Sequence, residues 1–173
     1  ISLIAAIKDK NKFNESWKEK GSLEDLFSTI PSSIIDMYPT IKDSNEIYKW
    51  GVYIRPKIES LYNNNITFIG DSAHPIVPFL GQGGCLALED AYIFGNLLKK
   101  YKNNFNKAQN KYQQVRIKRI KSINNQSLNQ AKLNHLSNPL LIFVRNMLMK
   151  YTNIIFYRTK NIWSYDISKI IDL

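Results

Sequence analysis

The segment from Ile66 to Ala91, ITFIGDSAHPIVPFLGQGGCLALEDA, constrains the fold more than any other part of the chain. Its apolar opening predicts a buried strand, and Gly70 and Asp71 follow directly, which places a carboxylate at the carboxyl end of that strand. Two prolines then stiffen a loop that leads into several glycines and a helix. In α/β folds, ligands bind at this edge of the sheet, so we expect a ligand site where the strand ends.

The residues at this bend indicate the chemistry of the ligand. Gly83 and Gly84 let a ligand approach the backbone closely, and the helix that begins there leaves free N–H groups and partial positive charge. Such a helix start stabilises the negative charge that reduction leaves on the N1 and O2 edge of a flavin. We therefore expect the Asp71 carboxylate to bind the ribityl hydroxyls and the amides of Gly83 and Gly84 to face the flavin ring.

The same segment resembles the GD motif of the group A flavoprotein monooxygenases, a family that includes salicylate hydroxylase, 4-hydroxybenzoate hydroxylase and zeaxanthin epoxidase. The family pattern is Gly-Asp, two small residues and His, then a proline, Gly-Gln-Gly and a helix containing Glu-Asp-Ala. The residues that fit this pattern are Gly70, Asp71, Ser72, Ala73, His74, Pro78, Gly81, Gln82, Gly83, Glu89, Asp90 and Ala91. The resemblance is strong over residues 66–91 and weaker over the rest of the chain.

The resemblance implies that the intact protein is an FAD-dependent oxidoreductase that uses NADH or NADPH. Its implied substrate is a small aromatic or other apolar molecule, which it hydroxylates or epoxidises. The resemblance implies no metal and leaves the catalytic residues unassigned. The implied cofactor-binding residues are Gly70, Asp71, Pro78, Gly81, Gln82, Gly83, Gly84 and Cys85.

Two other FAD motifs of the family, the GxGxxG fingerprint and a middle Asp-Gly motif, are absent from these residues. We therefore expect the chain to supply only part of an FAD site and to be inactive alone. Because the chain begins at Ile1 and not at Met, we expect it to be the C-terminal part of a longer protein. The alternative is a non-catalytic truncated remnant or a helical interaction domain of the same family.

The implied fold is α/β, with three parts in this chain. These are the last strands of a mixed or antiparallel substrate-domain sheet, the C-terminal part of a Rossmann-like FAD-binding domain, and a helical C-terminus. We expect the substrate-binding domain to end within 1–56, the FAD-binding segment to cover 57–103, and C-terminal helices to fill 104–173.

Hydrophobic periodicity predicts the local elements. Apolar residues favour a strand at 1–7, and alternation favours another at 46–55. Trp50 and Tyr53 lie in the latter, and either could line the substrate pocket or belong to the core; their opposite parity prevents both from facing the pocket. Helices are predicted after Ser22, over SSIIDMY, through LALEDAYIFGNLLKK, and over about 106–135 and 139–160.

Four side chains of the motif admit two interpretations. His74 could act as an acid or base, although a structural role is favoured because the family's hydroxylation does not rely on a histidine at this position. Cys85 could be a reactive thiol or a small packing residue. Glu89 and Asp90 resemble a carboxylate pair, yet neighbours on a helix point in different directions, and acidic residues early in a helix suit its dipole.

Composition bears on whether the protein binds nucleic acid, contains disulfides or zinc, or crosses a membrane. The chain has 24 basic and 14 acidic residues, a net charge of +10, and we interpret the excess as a solvated surface and not as a nucleic-acid site. One cysteine and no cluster with zinc-ligand spacing favour a reducing, cytoplasmic setting. Arg145 and Lys150 interrupt the most apolar late stretch, so no membrane span is expected. The intact protein could form a homodimer.

Overall fold

The computed structural model describes residues 4–7, 16, 18–37, 39–44, 46–53, 55, 57–102 and 104–170. The chain divides into two compact units, Ile1–Val52 and Tyr53–Leu173. Most of the regular structure in the described residues is helical, and one two-stranded antiparallel ribbon accompanies it. The ribbon and the longer helices all belong to the second unit.

Two short helices form the regular part of the first unit. Helix α1 (Leu23–Thr29) begins at Ser22, whose hydroxyl accepts a hydrogen bond from the Asp25 amide at 3.0 Å. This cap satisfies one of the amides that a helix start leaves unpaired, and it confirms the predicted helix. Helix α2 (Ser32–Met37) follows, also as predicted, and a 3-10 turn covers Pro39–Asp43.

The two strands predicted near the start of the chain do not form among the described residues. Residues 4–7 have no regular structure, and the segment 46–53 contributes one isolated antiparallel bridge, between Lys20 and Tyr48. A strand needs a neighbour along its length for its backbone hydrogen bonds, and alternation of side chains alone does not provide one. The other positions of these two predictions, residues 1–3 and 54, lie outside the described residues.

The second unit opens with a tight hairpin. Strands β1 (Tyr62–Asn63) and β2 (Ile66–Thr67) pair antiparallel, and Asn64 takes a left-handed conformation (φ 49°) in the turn. The strand predicted over ITFIG is therefore shorter than expected, and the prediction that it is buried is wrong, since Ile66 is 62% and Ile69 43% exposed. Asparagine is one of the few residues that tolerates this conformation, which explains its place in the turn.

Helices α3 (Gly83–Lys100) and α4 (Phe105–Asn134) form the main packing interface of this unit. The Asn104 side chain accepts a hydrogen bond from the Lys107 amide at 2.9 Å, which starts α4. The buried positions of α4 recur at helical spacing and form one continuous face. They are Ala108, Gln109, Tyr112, Arg116, Ile120, Ile123, Asn124 and Ser127.

A hydrophobic core lies between these two helices, and the hairpin segment is attached to its α4 side by two hydrogen bonds. The Tyr112 hydroxyl donates to the Phe68 carbonyl at 3.2 Å, and Gln109 donates to Thr67 Oγ1 at 3.0 Å. Burial and the nearby Asp90 carboxylate raise the pKa of the Tyr112 hydroxyl, so it keeps its proton for this bond. The buried core residues are Ile58, Leu61, Ala73, Ile93, Leu97, Ala108, Tyr112 and Ile120.

The last part of the described chain contains two helices where one stretch was predicted. Helix α5 (Pro139–Tyr151) ends at Thr152, whose backbone is extended (φ −133°, ψ 161°), and α6 (Ile154–Trp163) begins two residues later. The Thr152 hydroxyl donates to the Leu148 carbonyl at 2.6 Å, which satisfies one of the carbonyls at the end of α5. No helix among the described residues is both long and apolar enough to cross a membrane.

Candidate functional site

The turn after the hairpin can be built only with glycine at its first position. Gly70 is buried and has φ +57°, a conformation that side chains disfavour. A methyl group at Gly70 would also lie 3.2 Å from Ala87 Cβ of helix α3. The Gly70 carbonyl accepts hydrogen bonds from the amides of Ala73 and His74, both at 2.9 Å. This turn therefore sits directly on α3.

The turn places the carboxylate of Asp71 at the start of α3. Asp71 is exposed, and its Oδ1 lies 3.8 Å from the position that a methyl group would take at Gly83, the first residue of the helix. A carboxyl side chain is thus available to solvent beside the positive end of a helix dipole. The two groups that the sequence singled out, the carboxylate and the helix start, lie next to each other.

The loop between them ends in a left-handed glycine. A 3-10 turn over Pro78–Leu80 begins at an exposed proline, and Gly81 (φ +62°) closes it. The Gln82 side chain is buried and donates to the Leu80 carbonyl at 3.4 Å, so it does not cap α3. The amides of the first turn of α3 therefore have no side-chain cap, as an anion-binding helix start requires.

Open space surrounds the glycines at this helix start. A methyl group at Gly81 or at Gly84 would meet no other atom within 4 Å. Gly84 and Cys85 are exposed in the first turn of α3. The backbone here is accessible to a ligand that carries negative charge or a carbonyl oxygen.

Beneath the turn, the carboxylate of Asp90 is fully buried and accepts three hydrogen bonds. Oδ2 accepts from the Gly70 amide at 2.9 Å and from His74 Nε2 at 2.5 Å, and Oδ1 accepts from Arg116 Nε at 2.7 Å. Burial alone would raise the pKa of Asp90, but the bonds from His74 and Gly70 and the Arg116 charge outweigh it and hold the pKa below its usual value. Asp90 is therefore an ionised group inside the protein.

Glu89 forms ion pairs with both Arg116 and Arg119, so the four charged groups sum to zero. Arg116 Nη1 donates to Glu89 Oε2 at 2.6 Å, and Arg119 Nη2 donates to Glu89 Oε1 at 3.1 Å. Two carboxylates and two guanidinium groups thus form one neutral network, which is how charges are tolerated in an interior. Arg119 also donates to the carbonyls of Asn161 and Ile162, so the network reaches the end of α6.

Comparison with known proteins finds aromatic hydroxylases and epoxidases among the relatives of this chain, although no family model matches it. It is 34% identical over 111 residues to a 3-hydroxybenzoate 6-hydroxylase of Klebsiella oxytoca, which covers 64% of this chain and 28% of that protein. It is 35% identical over 86 residues to a zeaxanthin epoxidase of Oryza sativa subsp. japonica, covering 50% of this chain and 13% of that protein.

A solved structure, a salicylate hydroxylase substrate complex, matches 95% of this chain and 40% of its own with a TM-score of 0.72 and 19% identity. The chain resembles aromatic-ring monooxygenases in sequence and in fold. These relatives confirm the predicted resemblance, and the structural likeness confirms the predicted fold class. The chain matches less than a third of the length of the 3-hydroxybenzoate 6-hydroxylase.

The structure shows which contacts His74, Glu89 and Asp90 of the motif make. His74 is fully buried against Asp90, which agrees with the favoured structural role. Glu89 and Asp90 do point differently, but the fork of Arg116 reaches both. Among the described residues, no group of three His, Cys, Asp or Glu side chains could hold a metal ion.

The sequence placed Asp90 in the motif but did not identify Arg116 or the contacts between the two. The partners of Asp90 stand 16 to 26 residues away along the chain, so local periodicity gives no indication of them. The available indication was an arginine in the apolar stripe of α4, where a charge requires a buried partner.

The two aromatic residues proposed to line a substrate pocket are both accessible. Trp50 is 38% exposed and Tyr53 is 49% exposed. They belong to different units of the chain. Their role at the substrate stays a prediction.

Proposed function

We propose that the intact protein containing this chain is an FAD-dependent monooxygenase that uses NADH or NADPH and hydroxylates or epoxidises an aromatic or other apolar substrate. The observation that carries the proposal is the exposed Asp71 carboxylate beside the uncapped start of α3. Relatives named as hydroxylases of 3-hydroxybenzoate and as zeaxanthin epoxidases support it. A cytoplasmic location and a homodimer belong to the same proposal.

The proposed functional parts follow one another along the chain. Residues 1–56 end the substrate-binding domain, 57–103 carry the FAD-binding segment, and 104–173 form the C-terminal helices that pack behind it. Either Trp50 or Tyr53 is the candidate for contact with the substrate. The buried network joins α4 to the turn and uses no exposed group of the cofactor site.

The residues present fit a flavin. Asp71 accepts hydrogen bonds from ribityl hydroxyls, and the first-turn amides around Gly83 and Gly84 donate to the electron-rich edge of the ring. The open space around Gly81 and Gly84 accommodates the close approach that these contacts need. Pro78, Gln82 and Cys85 shape the same loop and helix start, with Gln82 acting through its backbone because its side chain is buried.

The chemistry that bound FAD supplies is its reduction by NADH or NADPH and the activation of dioxygen. The residues of this chain hold the flavin and orient its ring. The helix dipole and the amides of α3 favour the negative charge that the reduced ring carries at N1 and O2. The apolar core behind the turn keeps that geometry fixed.

The test is the affinity of the intact protein for FAD. Removing a charged hydrogen-bond acceptor costs about 1.5 to 3 kcal/mol, so Asp71→Ala should weaken FAD binding roughly 10- to 150-fold. Glu59→Ala is the matched control, because Glu59 is an exposed acid of the same unit whose recorded ion pair is with the exposed Lys57. Equal FAD affinity in Asp71→Ala and the wild type would show that Asp71 is not a flavin ligand.

Activity is tested separately. The intact protein should consume NADH or NADPH and dioxygen faster when a suitable hydroxybenzoate is present. Screening benzoates against longer apolar substrates would separate a hydroxylase from an epoxidase. A protein that binds no flavin and consumes neither reductant would favour the non-catalytic alternative.

A further inference from the structure

The strongest unassigned feature is the way Asp90 holds the flavin turn from below. Asp90 lies on α3, seven residues after Gly83, so it is about 10 Å from the helix start at 1.5 Å per residue. From there its carboxylate reaches across to the Gly70 amide, one residue before Asp71. A rigid helix therefore carries both the free amides at its start and the group that fixes the turn.

A carboxylate is the side chain that this position requires. Three donors converge on it: the Gly70 amide, His74 Nε2 and Arg116 Nε. An ionised carboxylate only accepts hydrogen bonds, whereas an asparagine amide would point its own NH₂ donors at one of these donors. Replacing Asp90 by asparagine keeps the volume and removes both the charge and one of the acceptor atoms.

The position of the turn leaves little freedom for adjustment. Gly70 packs against Ala87 of α3 so closely that even a methyl group would be crowded, and the hydrogen bond to Asp90 lies on the same side. A loss of this bond would leave the buried Gly70 amide without an acceptor. The turn would then shift away from α3 and take the Asp71 carboxylate with it.

We propose that Asp90 is a positioning residue of the cofactor site, which sets the distance between the Asp71 carboxylate and the free amides of α3. The inference rests on the proposed function, because it assumes that both groups contact the same FAD. The hydrogen bonds from His74 and Gly70 and the Arg116 charge together keep the pKa of Asp90 low, and Glu89 pairs with both Arg116 and Arg119. Asp90 itself contacts no cofactor in this scheme, since it is fully buried.

The first test needs no flavin. Hydrogen–deuterium exchange of the intact apoprotein should show faster exchange at residues 70–74 in Asp90→Asn than in the wild type. Leu97→Ala is the control, because Leu97 is buried in the core on the same helix, seven residues or about 10 Å along the helix beyond Asp90. Its effect on exchange should not concentrate at residues 70–74. Unchanged local exchange in Asp90→Asn would overturn the inference.

The second test is FAD affinity, measured at a temperature where every variant is folded. Asp90→Asn should weaken binding about tenfold and alter the visible circular dichroism of bound flavin, while Leu97→Ala should change affinity less than about twofold. Equal losses in these two variants would show a merely structural role. In an Asp71→Ala background, Asp90→Asn should add little further loss, because it acts through Asp71. Full additivity of the two losses would overturn the inference.

The outcomes distinguish a failure of the positioning role from a failure of the proposed FAD-dependent function. A wild-type protein that binds no FAD would refute the proposed function, and the positioning role would fall with it. A wild-type protein that binds FAD, together with an Asp90→Asn variant of unchanged affinity, would refute the positioning role alone.

Discussion

Replacing Arg116 by methionine tests the buried network most severely. Arg116 has no exposed side-chain surface, and its guanidinium donates to Asp90 Oδ1 at 2.7 Å, to Glu89 Oε2 at 2.6 Å and to the Leu86 carbonyl at 3.3 Å. Methionine fills much of the same volume but leaves the buried Asp90 charge without its cation. Breaking one side of a buried ion pair destabilises a protein by about 3 to 5 kcal/mol.

The structure favours the lower part of that range. The Gly70 amide and His74 still donate to Asp90 after the substitution, and Arg119 still pairs with Glu89. We therefore expect Arg116→Met to lower the free energy of unfolding by about 3 kcal/mol. Urea denaturation of the intact protein, followed by far-ultraviolet circular dichroism, measures this change.

Lys118→Met provides the matched control, because Lys118 is exposed on the same helix. It should change the free energy of unfolding by less than about 0.5 kcal/mol. In a double-mutant cycle with Asp90→Leu, Arg116→Met should show a coupling of about 1 to 3 kcal/mol. A loss below about 1 kcal/mol in Arg116→Met, or the absence of coupling, would refute the view that these charges depend on each other.

Two further predictions concern the turn and pH. Gly70→Ala should lower the free energy of unfolding by about 3 kcal/mol, because of the positive φ and the contact with Ala87. Gly81→Ala should lower it by about 1 kcal/mol, because the surroundings of Gly81 are open. Equal losses in urea denaturation would contradict this prediction. The lowered pKa of Asp90 means that its stabilisation is fully present above about pH 4, the unfolded value, and is lost as pH falls through the lower folded value. Stability measured from pH 7 to pH 3 should therefore fall less steeply in Asp90→Asn, and an unchanged slope would exclude Asp90 as a source.

Local sequence patterns predicted the helices because their causes are local. Ser22 caps α1, apolar residues at helical spacing bury one face of α4, and glycines mark the start of α3. The position of Asp71 beside α3 also follows from short-range order, since the strand, turn and helix are consecutive.

The features that the sequence did not predict depend on distant partners. The strand expected over 46–55 requires a neighbouring strand, and the described residues offer only the bridge from Lys20 to Tyr48. The role of Asp90 requires Arg116, which stands on another helix. Periodicity places a residue on a face of its own element but does not specify what the opposite element presents.

The most direct test of the account is a crystal structure of the intact protein with FAD bound. The account predicts that the Asp71 carboxylate accepts a hydrogen bond from a ribityl hydroxyl and that amides of Gly83 to Cys85 face the N1 and O2 edge of the ring. It also predicts that the Gly70 amide still donates to Asp90. A flavin bound elsewhere, with Asp71 in contact only with solvent, would contradict it.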